Sequence, residues 1–123
     1  MTLQGRLVSG AAETNPCDDV VTLDCDIPAS FSLDGEGVWN NLGGPWSTPG
    51  EEAVYQFTAQ ESGIHTVSIT NSGYYVDLYT QTGSCGSTGW TYEDDIFTAG
   101  DVSLDLTAGT TYYLLIDDEN TAA

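Results

Sequence analysis

The chain has 123 residues, 40% of them hydrophobic, and one basic side chain, Arg6, faces 19 acidic ones for a formal net charge of −18. That length suits one domain, and that hydrophobic content supports a core, which excludes general disorder. The charge excludes nucleic acid, whose phosphates it repels, and opposes anionic lipid in the same way.

The first predicted strand is 2–8, TLQGRLV, with Leu3, Gly5 and Leu7 on one face. Residues 9–16, SGAAETNP, read as a linker. The segment 1–12 is therefore expected to stand apart from a domain spanning 13–123. A lone strand cannot satisfy its own backbone, so this one must pair with something. Further strands are expected at 20–23, 30–33, 53–59, 63–71, 75–81, 101–107 and 111–117. Turns rich in Gly, Pro, Asn and Asp separate them at 49–52, 60–63, 82–89, 98–101 and 107–110. Alternation puts Val102, Leu104 and Leu106 on one face, Tyr112, Leu114 and Ile116 on another, and groups Tyr55 and Phe57 with Val67 and Ile69. Strands at this spacing predict an all-β fold, an antiparallel β-sandwich of jelly-roll or Ig-like type. The longest expected loop, 34–50, carries Trp39 and Trp46, which read as a cover over one end of the core rather than an exposed aromatic site.

Cys17 and Cys25 flank the short run VVTL and, in an extracellular protein, read as a local disulfide. Structural zinc is a poor alternative, because His65 is the only histidine and the spacing fits no zinc pattern. Cys85 is left over, either free or bonded to another chain. No stretch is long and apolar enough to span a membrane. Gln4, Gly5 and Arg6 interrupt any signal-peptide core, so the chain reads as one whose signal is removed or as an excised segment. The absence of Lys, the cysteines and the Thr/Ser/Gly/Tyr-rich texture point to a secreted or cell-surface protein, with O-glycans accommodated on Thr and Ser.

Catalysis needs a nucleophile, a general base or an open metal site. His65 lies mid-strand in GIHTVSI with the parity of Val67 and Ile69, and reads as a packing residue. No G-x-S-x-G, H-E-x-x-H or Gly-rich phosphate loop occurs. The chain is expected not to be an enzyme. Its acids cluster instead: Glu13, Asn15, Asp18 and Asp19; Asp34 and Glu36; Glu93, Asp94 and Asp95; and Asp117, Asp118, Glu119 and Asn120. Calcium takes six to eight oxygens from such groups, and loops at one end of a sandwich can gather them. None of the clusters has EF-hand spacing, and each alone also reads as a solvated loop. Ca²⁺ is the expected cofactor.

The run PGEEAVYQFTAQESGIHTVSITNSGYYVDLYTQTGSCGS, followed by EDDI and LTAGTTYYLLIDD, resembles the bacterial pre-peptidase C-terminal domain. That family includes the collagen-binding domains of clostridial collagenases. The likeness covers about residues 13–118. It implies a secreted, non-catalytic β-sandwich that often binds Ca²⁺ and serves adhesion, substrate binding or secretion. It places ligands at Glu13, Asn15, Asp18 and Asp19, with Asp34 or Glu36 nearby and Asp94–Asp95 in an acidic turn. Pro16 and Cys17 interrupt the matching pattern, and no second Cys follows Cys85 where relatives carry one. Relatives also continue into one more strand, so by comparison this sandwich lacks its last. Two functions follow as expectations. The first is a structural subunit that assembles head-to-tail into a pilus-like filament, donating the strand that carries Leu3, Gly5 and Leu7 to a neighbouring copy. The alternative is an accessory adhesion module that contacts collagen or a polysaccharide through Trp39, Trp46, Trp90 or Tyr74–Tyr75.

Overall fold

A computed structural model of the chain describes residues 2–4, 16–25, 27–30, 37–39, 42, 44–45, 48–70, 72 and 75–119. Short runs of β-branched and aromatic residues, broken by turn formers, give β1 (Thr2–Gln4), β2 (Val21–Thr22), β3 (Ala29–Ser30), β4 (Glu52–Thr58), β5 (Gly63–Thr70), β6 (Tyr75–Thr82), β7 (Thr91–Phe97), β8 (Gly100–Leu106) and β9 (Thr111–Asp118). They form two sheets, one ordered β3-β1-β5-β8 and the other β2-β4-β9-β6-β7. The turn before β9 depends on Gly109, whose φ of 83° suits a residue without a Cβ.

The two sheets pack as the expected β-sandwich. Between them lie Leu3, Leu23, Tyr55, Phe57, Val67, Ile69, Val76, Leu78, Ile96, Val102, Leu104, Leu106, Leu114 and Ile116, all buried. The alternation expected for β8 and β9 therefore holds. His65 also packs as expected, its ring edge-on to Phe57 with centroids 5.8 Å apart. A second apolar cluster, Val54, Tyr79, Trp90 and Leu115, covers the outer face of the five-stranded sheet. Trp39, Leu42, Val20, Cys85, Tyr92 and Tyr113 pack against it. Trp39 is thus a cover, as expected, but over the outer cluster; Trp46 lies outside the described residues.

Four sequence expectations are corrected. The sandwich is mixed rather than antiparallel, because β1 runs parallel to both β3 and β5, and β2 runs parallel to β4. The N-terminal segment does not stand apart: β1 lies inside the four-stranded sheet with Leu3 fully buried, while Gly5 and Leu7 lie outside the described residues. The acidic run 93–95 is not a turn but part of β7, paired antiparallel to β6. Its Asp and Glu content hides a strand that Tyr92 and Ile96 anchor from opposite faces. The disulfide joins Cys17 to Cys85 across 68 residues, and Cys25 is free and exposed. A 3-10 turn, Pro16–Asp19, packs against β4, which brings Cys17 to the loop between β6 and β7 on the outer face. Sequence spacing favours the local pairing; the tertiary packing decides the distant one. Among the described residues, no helix is long and apolar enough to cross a membrane.

Candidate cation site

Strand pairing writes two rows across the outer face of the five-stranded sheet. One row is apolar and aromatic: Val54 opposes Leu115, Leu115 opposes Tyr79, and Tyr79 opposes Tyr92. The next row is entirely acidic: Glu52 opposes Asp117, Asp117 opposes Asp77, and Asp77 opposes Asp95. Like charges directly opposite one another on a sheet are destabilising. The register shifts between Leu78 and Tyr79, where Glu93 is the extra residue. This bulge puts Asp95 rather than Asp94 into the row. Glu93 turns elsewhere and accepts a hydrogen bond from Thr80 Oγ1 at 2.5 Å. Asp94 is exposed, and its Oδ1 accepts the Asp95 N–H at 2.8 Å.

The acidic row has two kinds of member. Glu52 and Asp117 are buried and hold loops. Glu52 accepts the Val38 N–H at 2.7 and 2.9 Å and the Trp39 N–H at 2.7 Å. Only glycine fits at 37, because a Cβ there would collide with the Gly50 carbonyl oxygen and the Glu52 carboxylate. Asp117 Oδ2 accepts the Thr48 hydroxyl at 2.8 Å. The other half of the row lacks such donors. Asp77 is fully buried, and Tyr79 Oη reaches its Oδ2 only at 3.4 Å. Asp77 Oδ1, Asp95 Oδ1 and Glu119 Oε2 are buried oxygens that accept no hydrogen bond. Glu119 lies just past β9, where its N–H donates to the Tyr75 carbonyl. Oxygens of Asp77, Asp95 and Glu119 all lie within 4.8 Å of one another.

Burial first, and then Asp95 opposite it, push Asp77 up to about 7, although Glu119 and Tyr79 act to lower it. Burial, followed by Asp95 and Asp77, pushes Glu119 up to about 9. Burial and the Asp77 and Asp117 carboxylates also raise Tyr79, which keeps its phenol protonated as a donor. No Lys or Arg stands among the described residues to neutralise the group. An unpaired buried carboxylate is costly, and it is relieved by a proton or by a cation.

The geometry suits a hard cation. Calcium accepts six to eight oxygens at about 2.3–2.6 Å, so two of its ligand oxygens stand at most about 5 Å apart, a spacing that other divalent ions share. Three carboxylates offer up to six oxygens. Asp77 is fully buried, whereas Asp95 and Glu119 are half-buried.

Of the ligands expected from sequence, Asp95 is in this group. Asp94 stands beside it and outside it, and Asp18 is exposed on the 3-10 turn that also contains Asp19. Glu13, Asn15, Asp34 and Glu36 lie outside the described residues. Asp77 is absent from the ligands expected from sequence. Its signal is a lone acid in the apolar run Val76–Tyr79, on the face opposite Val76 and Leu78. No family model, no curated protein and no solved structure matches this chain.

Proposed function

We propose that this chain is a non-enzymatic structural β-sandwich of the extracellular space, with a divalent cation of the calcium class closing its five-stranded sheet. The observation that carries the reading is Asp77, fully buried, with an oxygen that accepts no hydrogen bond and with Asp95 and Glu119 converging on it. The Cys17–Cys85 disulfide supports an oxidising compartment. His65 packs edge-on to Phe57, as a packing residue does. The experiment is thermal melting in chelator against millimolar Ca²⁺, for the wild type and for Asp77→Asn. The wild type should melt higher with Ca²⁺, and the variant should not respond. Coincident wild-type curves would sink the proposal, because a ligand that binds the native state must raise its stability.

A second reading, an accessory polymer-binding module, is favoured by Tyr75 and Phe97. Their rings lie 4.7 Å apart between centroids, and both stand exposed where β7 forms the sheet edge. Pull-down on insoluble collagen or polysaccharide with Tyr75→Ala and Phe97→Ala tests it; retention that the substitutions leave unchanged rejects it.

A further inference from the structure

The N-terminal strand occupies an unusual seat. β1 opens the chain, yet it is an interior strand, parallel to a neighbour on each side. Leu3 lies opposite Ala29 on one side and Ile69 on the other, and Thr2 lies opposite Ser68. Among the described residues, β3 has no neighbour in this sheet except β1. Withdrawing β1 therefore opens one edge of β5 along 68–70 and leaves an apolar slot where Leu3 sat between Ala29 and Ile69 in the core. An open ladder beside an apolar slot is what an added β-strand fills.

Little holds β1 in its own slot. It has three residues and one buried leucine, whereas β4 to β9 each have seven or eight residues. The linking residues, 5–15, can reach about 35 Å when extended. A domain of this length has a radius of gyration of about 14 Å, so that reach spans to the slot of an adjoining molecule. Thr2, Leu3 and Gln4 would meet the same partners in the same register there.

We propose that β1 is an exchangeable strand, donated to the empty slot of a second copy of this chain. Non-reciprocal donation leaves each molecule with one donor and one acceptor, and so builds an open head-to-tail series; reciprocal donation closes a dimer. The net charge of −18 opposes the approach of two copies, so exchange rises with ionic strength.

The test uses two full-length chains, each with Cys25→Ser to remove the free thiol. One carries Thr2→Cys and the other Ser68→Cys; both native side chains are only half-buried, and they face each other across the β1–β5 pair. The two are mixed at high concentration in chelator, oxidised and separated without reductant. Exchange places the two new thiols side by side only between different chains, so the mixed disulfide should exceed either homodimer at least several-fold, and more so at high salt. A mixed product no more abundant than the homodimers overturns the proposal. Because no cation is present, the outcome is independent of whether the cation site exists.

Discussion

The two sheets treat their outer faces in opposite ways. In β8, Val102, Leu104 and Leu106 are buried while Asp101, Ser103 and Asp105 are exposed, so that face meets water. In β9 every residue from Leu114 to Asp118 is buried, and in β6 every residue from Val76 to Thr80. The outer face of the five-stranded sheet is roofed by Trp39, Leu42, Trp90 and the segment at Cys17 and Cys85. An acid on the open face keeps its hydration. An acid under the roof must find donors, a proton or a cation. Glu52 is held by the Val38 and Trp39 N–H groups and Asp117 Oδ2 by the Thr48 hydroxyl, whereas Asp77 Oδ1, Asp95 Oδ1 and Glu119 Oε2 accept no hydrogen bond and Tyr79 Oη reaches Asp77 Oδ2 only at 3.4 Å.

The largest way to break this contrast is to untie the roof. Replacing Cys17 and Cys85 by Ser opens a loop of 68 residues, which in the chain-entropy account is worth about 4 kcal/mol. Guanidinium unfolding of the double variant should show that loss, together with earlier exposure of Trp90. An unchanged midpoint would mean that the outer cluster holds its roof without the bond.

Next is the cation itself. At a hundredfold excess over its dissociation constant, Ca²⁺ should add about 2.7 kcal/mol, or roughly 10 °C in melting temperature for a domain of this size. Glu119→Gln should cut that gain, since it removes one of three converging carboxylates. A full gain in Glu119→Gln would place the ion elsewhere.

The third test is pH. Asp77 and Glu119 lie above the usual carboxylate range, at about 7 and about 9, because of burial first and then the neighbouring Asp95, with Asp77 also raising Glu119. The folded chain therefore keeps protons that the unfolded chain has released. Their contribution to stability is full below about pH 4 and is lost as pH rises through 7 to 9. In chelator, melting temperature should fall from pH 5 to pH 8, and Ca²⁺ should restore more at pH 8 than at pH 5. A rise from pH 5 to pH 8 in chelator would contradict the confinement of these two groups.

The open sheet was legible for the same reason that it is stable. Water on one face imposes the period of two that Val102, Leu104 and Leu106 display. The roofed sheet blurs that period. An apolar run such as Leu114–Ile116 reveals a strand but not which face lies toward the other sheet. β7 was hidden because pairing with β6, rather than its own Glu and Asp residues, makes it a strand. The site could not be assembled from local clusters, since Asp77, Asp95 and Glu119 meet only through strand order and a bulge. The Cys17–Cys85 bond has the same long-range origin.

The smallest expected effect tests the open side of the contrast. Asp101 and Asp105 lie on β8 opposite Ser68 and Ile64, and both are exposed. They carry the same charge as Asp77 and differ from it in solvent. Asp101→Asn and Asp105→Asn should each change stability by no more than about 0.5 kcal/mol. Neither should alter the response to Ca²⁺, because neither residue lies on the outer face of the five-stranded sheet. If either variant blunted that response as Asp77→Asn is expected to, Ca²⁺ would be acting through net charge rather than at a built site. The effect would then scale with the number of carboxylates removed and fade with added monovalent salt. Equal melting of Asp105→Asn and wild type at every Ca²⁺ concentration, beside a lost response in Asp77→Asn, assigns the effect to burial and convergence rather than to charge.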